Sequence, residues 1–163
     1  MARTPVEAVL ARLRAVEAPS PLVPSSVRDP ALDREIAGLD ATPALKSALH
    51  LWNDSLTASH ALAQEIHTPT GSYLHGVMHR REPDYGNAKY WFQQVGEHPL
   101  FPAVREAART LHPALVWDPF AMVDACEKAA RDPALEPPLR AVQAAELALL
   151  AEFSLQGMGP RGS

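Results

Sequence analysis

Apolar residues recur along this chain at helical spacing, and nowhere do they keep up the alternation of a strand. Leu45, Leu49, Trp52, Leu56, Ser59, Ala63 and Ile66 step by four and three in turn, which predicts one amphipathic helix from about Thr42 to His67. Val6, Val9, Leu10, Leu13 and Val16 predict an N-terminal helix. Tyr85, Ala88, Phe92 and Val95 predict another, capped by Asp84 after Pro83. Val104 to Leu111 reads as a short helix entered through Pro99 and Pro102. Phe120, Val123, Cys126, Ala129 and Ala130 fit a helix begun by Asp118, and Pro138 through Phe153 closes the fold with Gly157 as its stop.

Proline sharpens this pattern. The chain has 16 prolines in 163 residues, about twice the usual ~5%. Six of them follow a residue able to cap a helix: Thr4-Pro5, Asp29-Pro30, Thr42-Pro43, Thr68-Pro69, Asp118-Pro119 and Asp132-Pro133. A Thr or Asp side chain accepts from an orphan backbone N–H, and proline at the first helical position gives up a donor that has no partner there anyway. These prolines read as helix starts. Pro19, Pro21 and Pro24 instead fall in a Pro/Ser stretch, residues 18–26, which reads as an unstructured linker. The expected architecture is all-α, one domain of about six or seven short helices. It divides into an N-terminal helix (1–17), the linker (18–26), a helical domain (27–156) and a flexible tail (157–163).

Composition removes several function classes. No apolar run approaches the ~18 residues of a membrane span, and Met1-Ala2-Arg3-Thr4-Pro5 lacks the apolar stretch of a signal peptide. One cysteine excludes an internal disulfide framework and a Cys-rich zinc site. A net charge of −4 argues against nucleic acid as a partner. The expectation is a cytoplasmic protein with no membrane and no nucleic-acid partner, its oligomeric state open. Gly-x-Gly-x-x-Gly, a phosphate loop and a nucleophile elbow are all missing. Cys126 lies on an apolar stripe beside Met122 and Val123, the setting of a buried, inert thiol.

Between Gly71 and Phe101 alanine gives way to tyrosine, tryptophan, histidine and arginine. His75 and His79 stand four apart, which puts both rings on one face of a helix, and that pitch suits a divalent transition metal. His60 is the candidate third ligand, with Glu82 and His98 as alternatives. His60 shares a polar stripe with Asn53, Thr57, Gln64 and His67, and antiparallel packing across Thr68-Pro69 would bring three histidines together. The competing reading buries both imidazoles as hydrogen-bonded structural groups. Arg80, Arg81 and Glu82 follow directly. They read either as a solvated helix end or as a clamp for an anionic ligand, since guanidinium forks match carboxylate and phosphate. Arg81 tilts toward the clamp because its helical angle lies beside Leu74, Val77 and Met78. Tyr90 and Trp91 flank the core position Phe92 and are candidate pocket walls.

Gly76, Ala88 and Phe92 carry the small-residue spacing of a tetratricopeptide hairpin, and the stretch resembles one in part. No second copy stands 34 residues away, so no array is expected. The resemblance implies that His75 and His79 take interior-facing positions. The block from Ser59-His60 through GSYLHGVMHRREPDYGNAKYWF to Gly96-Glu97-His98-Pro99 also resembles a helical protein family of uncharacterised function, which implies no activity. Two functions of different class follow from the residues. One is a His/Arg-lined site for a metal ion or small anionic ligand, with catalysis left open. The other is a helical scaffold or protein-interaction module in which the histidines are structural.

Overall fold

Five of the six Thr-Pro and Asp-Pro pairs open α-helices in the computed structural model, which describes residues 2–157. Thr4, Asp29, Thr42, Thr68 and Asp118 each accept a backbone N–H three residues on, with proline in the first turn. Thr4 and Glu7 complete a reciprocal capping box. The sixth pair, Asp132-Pro133, opens only a 3-10 turn at Pro133–Leu135, and its side chain makes no cap bond. Among the described residues there are nine α-helices: α1 Pro5–Arg14, α2 Pro30–Ala37, α3 Pro43–Trp52, α4 Leu56–Ala63, α5 Pro69–Arg81, α6 Tyr85–Val95, α7 Phe101–Leu111, α8 Pro119–Arg131 and α9 Glu136–Gln156. Neither strands nor a helix long and apolar enough to cross a membrane occur among them. One continuous apolar core runs from Val9 in α1 to Ala151 in α9.

The count exceeds six or seven chiefly because the expected helix from Thr42 to His67 is two helices. It breaks at Asn53-Asp54-Ser55, where Asp54 takes φ +63°, and α4 folds back along α3. The apolar stripe runs unbroken across this point, so helical spacing hides the turn. Polar partners elsewhere reward it. Asn53 donates to the Asp29 carbonyl (2.9 Å) and Asp33 (3.2 Å), Ser55 donates to Asp33 (2.8 Å), and Asp54 accepts from Arg81 (2.6 Å). Small residues then let the two helices close together, and the buried Ser47 hydroxyl donates to the Ser59 carbonyl at 2.9 Å.

Helices α4, α5 and α6 form two successive antiparallel hairpins. Contacts between α5 and α6 pair Gly76 with Phe92, His75 with Trp91 and His79 with Asn87, as an antiparallel register requires. Gly76 is needed there, since a Cβ on it would sit 2.7 Å from the Phe92 ring. Gly71 plays the same part against the turn before α5, where a Cβ would meet the Ile66 carbonyl oxygen at 2.2 Å. Helix α9 packs on α3 and α7 and closes the core from the other side.

Residues 18–26 contain no helix, as expected of a linker, but they are not a free spacer. Leu22 is buried and its N–H donates to Glu136 at 3.3 Å. The Pro21 carbonyl accepts from Arg81 (3.0 Å) and Gln143 (3.3 Å), and the Leu22 carbonyl accepts from Arg81 (3.3 Å). The stretch is a strap across the core. The expected flexible tail lies, beyond Gly157, outside the described residues.

Candidate functional site

Histidines are placed by the hairpins, and three of them meet. The ring centres of His60 and His75 are 5.1 Å apart, those of His60 and His79 5.5 Å, and those of His75 and His79 6.0 Å. The i, i+4 pair comes from one face of α5, and the fold-back at Asp54 turns α4 so that His60 faces it. The rings line an open cleft of about 750 Å³ between α4, α5 and α6. One face of α6, Asn87, Trp91 and Gln94, forms its far wall, with Tyr90 beside it.

Hydrogen bonds set the state of two rings. The Nδ1 of His75 lies 3.2 Å from the Gly71 carbonyl oxygen, and that of His79 lies 2.6 Å from a Glu82 carboxylate oxygen. Both partners only accept, so both Nδ1 atoms carry hydrogen and a neutral ring keeps its lone pair on Nε2. Asn87 Nδ2 stands 3.3 Å from that Nε2 of His79 and donates to it. His75 is also stacked on the Trp91 indole at 4.0 Å and 15°. Burial lowers the basicity of His75, and the neighbouring His60 and His79 lower it further, against the opposing pull of the Gly71 carbonyl. His60 is held less firmly: among the described residues its ring nitrogens have only the Gln64 amide within bonding reach, at 3.3 and 3.4 Å.

Arg80 and Arg81 do not belong to the cleft, which corrects the expected anion clamp. They point into the core on the opposite side of α5. All three nitrogens of Arg81 have protein partners, while Arg80 is bonded through Nη2 and its Nε and Nη1 are buried without a partner. Arg81, fully buried, donates to Asp54 Oδ1 (2.6 Å) and to the carbonyls of Leu51 (2.6 Å), Pro21 and Leu22. Burial pulls its guanidinium below the ordinary value in spite of Asp54. Arg80 pairs with Glu146 at 2.8 Å and Gln143 at 3.1 Å. Burial lowers its basicity, but the charge of Glu146 and other neighbours outweighs this and raises it overall. Tyr73 donates to the same Glu146 at 2.8 Å, and burial together with that carboxylate holds the phenol protonated well above its ordinary range. The helical angle of Arg81 beside Leu74 and Val77 did mean burial, but in an ion pair rather than at a ligand.

With both arginines elsewhere, no Lys, Arg, Asp or Glu among the described residues lines the cleft. Glu82 is exposed and reaches it only through His79. Tyr90 and Trp91 do line it as expected, Tyr90 half exposed and Trp91 partly buried under His75. His98, the other candidate ligand, is in a separate nest of Tyr73, Phe101 and Phe153. Both its nitrogens are used there, Nε2 with the Thr70 hydroxyl and Nδ1 accepting from the Leu100 N–H, each at 3.0 Å. Cys126 is buried, as its stripe implied, and burial raises its thiol. Sequence reasoning missed Asn87 and Gln94; their spacing from Trp91, four before and three after, was the available sign.

Among the described residues, the metal-ligand atoms that lie as a trio within 4.8 Å of one another belong to His79, Glu82 and Asp84, at the end of α5. Compared with protein-family models, curated proteins and solved structures, the chain matches none of them.

Proposed function

We propose that the cleft binds one divalent transition-metal ion through Nε2 of His60, His75 and His79, leaving coordination positions open to a small molecule. The observation that carries this reading is the pair of Nδ1 bonds. Metal-ligating histidines donate their second ring N–H to a carbonyl or carboxylate, which fixes tautomer and orientation, and His75 and His79 do so through Gly71 and Glu82. Ring spacing supports it. Centres 5.1, 5.5 and 6.0 Å apart lie on a circle of radius about 3.2 Å, and an ion about 2.0–2.1 Å from an imidazole nitrogen is about 3.2 Å from the ring centre. Binding needs the loosely held His60 to turn its nitrogen inward, His79 Nε2 to exchange the Asn87 amide for the ion, and the stacked His75 and His79 rings to tilt toward each other. Three neutral ligands leave the ion its full charge, so an oxygen donor such as water or a substrate carbonyl completes the shell.

The second reading is a helical scaffold with structural histidines, favoured by the stacking of His75 on Trp91. Metal analysis of untagged protein, followed by cobalt(II) titration, separates the two. The metal reading expects one equivalent per chain and visible cobalt bands, both lost in a folded His75→Ala/His79→Ala variant and weakened at least tenfold in His60→Ala. Absence of cobalt bands in the wild type overturns it. Retention of the ion in His60→Ala but not in Glu82→Gln/Asp84→Asn assigns the metal to the α5 end instead.

A further inference from the structure

A second cavity, which shares no lining residue with the histidine cleft, lies where α1, the strap and α9 meet over Trp52. It measures about 300 Å³, at the small end of ligand pockets. Leu13 of α1, Val16 just after it, Trp52 of α3, and Ala144, Ala145 and Ala148 of α9 give it apolar walls. Its polar lining is Arg28 with Ser20, Gln143, and Arg14, whose guanidinium is paired with Glu152 at 3.1 Å.

Arg28 differs from the other inward-facing arginines. Arg80 and Arg81 each have a buried carboxylate, Glu146 and Asp54. Arg28 is in no ion pair among the described residues, and its one side-chain bond is from Nη1 to the Ser20 hydroxyl at 3.2 Å. Its Nη2 is buried with no partner, as are Nε and Nη1 of Arg80, but the charge of Arg80 is met by Glu146 and that of Arg28 is not. Folded proteins seldom leave a charged donor this way, and an orphan of this kind marks a place for an ion or water. The surrounding charge points to an anion. Arg28 is close enough to Arg81 to lower its basicity, and three guanidinium groups here face only two buried carboxylates. Ser20 accepts from Arg28, so its own hydroxyl hydrogen is free to be donated. A single planar acceptor with two oxygens uses both donors once the guanidinium swings Nη2, closed off in this conformation, toward the cavity. The apolar remainder of the cavity suits a short hydrocarbon body, and one uncompensated cation suits a monoanion rather than a phosphate dianion.

We propose that this cavity is a binding site for a small amphiphilic monocarboxylate, its head on Arg28 and Ser20 and its chain against Leu13, Trp52 and the α9 alanines. The site is independent of the metal reading.

Isothermal titration with octanoate tests it, with 1-octanol as the uncharged counterpart of equal length. Saturable one-to-one binding of octanoate is expected, at least tenfold tighter than that of 1-octanol. Arg28→Gln should remove that preference, and Ala145→Leu, which fills the cavity and leaves Arg28 in place, should abolish binding with the fold intact by circular dichroism. If Arg28→Gln does not fold, Ala145→Leu and the comparison with octanol decide. Failure of the wild type to bind octanoate, equal affinity for the two probes, or unchanged binding in Ala145→Leu would each overturn the proposal.

Discussion

Replacing Arg81 by methionine keeps the buried stem and removes the guanidinium that joins the strap, the α3–α4 turn and α5. Three carbonyls (Pro21, Leu22 and Leu51) and the Asp54 carboxylate lose a donor together. Asp54 is 6% exposed, so it is left as a nearly waterless charge, and breaking a buried pair in this way costs about 3–5 kcal/mol. Each carbonyl left short adds up to about 1–3 kcal/mol, less where water enters and less at Pro21 and Leu51, which keep bonds from Gln143 and the Asp54 N–H. Against a whole-protein stability of about 5–15 kcal/mol, Arg81→Met should remove a third or more. Urea unfolding followed by circular dichroism measures this as a fall in midpoint. Adding Asp54→Asn separates the two parts of the loss, because asparagine tolerates the positive φ of this residue and carries no charge. The double variant should recover at least about 1 kcal/mol relative to Arg81→Met. Limited proteolysis should also cut residues 18–26 faster in Arg81→Met. A loss within about 0.5 kcal/mol, the range of an ordinary surface substitution, or a double variant no better than the single, would refute the view of Arg81 as the central tie.

Gly76→Ala gains helix propensity worth up to about 1 kcal/mol but puts a methyl 2.7–2.8 Å from the Phe92 ring. A net loss of about 1–3 kcal/mol is expected, reversed in part by Phe92→Leu; a rise in melting temperature for Gly76→Ala alone would contradict the close packing of α5 on α6. Burial lowers the basicity of His98, with both nitrogens bonded and the protonated Tyr73 ring packed against it. Its folded pKa lies below the unfolded value, so the unfolded chain takes up the extra proton, and this contribution is intact above pH about 6.5 and lost as pH falls below it. Histidine-resolved NMR titration checks this, and a His98 midpoint at or above 6.5 would refute it. Cys126, buried with its thiol raised, should react with a thiol reagent only after urea is added; rapid labelling of native protein would show the α8 packing to be wrong.

Much of the fold is legible in local signals. A threonine or aspartate before proline acts within its own helix, so the caps at Thr4, Asp29, Thr42, Thr68 and Asp118 can be read without knowledge of the tertiary structure. The break at Asp54 cannot, because the residues that stabilise it, Asp29, Asp33 and Arg81, are distant in sequence and the apolar stripe continues through it. The site divides in the same way. His75 and His79 are neighbours by helical pitch alone, and the short connection at Thr68-Pro69 was enough to suggest His60. The arginines were misread because their partners, Asp54 and Glu146, are 27 and 66 residues away. A buried guanidinium and a ligand-holding one occupy the same positions in a helical wheel, and only the tertiary partner distinguishes them.

The turn at Asp54 sets an order of assembly for the cleft. Any folded α5 presents two imidazoles, because His75 and His79 need nothing beyond their own helix. The third arrives only when α4 has folded back, and the turn that allows it is held by Asp54 on Arg81, which also holds the strap, together with Asn53 and Ser55 on Asp29 and Asp33. One helix therefore carries the histidine pair on one side and, on the other, the latch that delivers their companion. A chain that has formed its helices but has not closed this latch offers two ligands rather than three, so the complete cluster is a property of the finished fold.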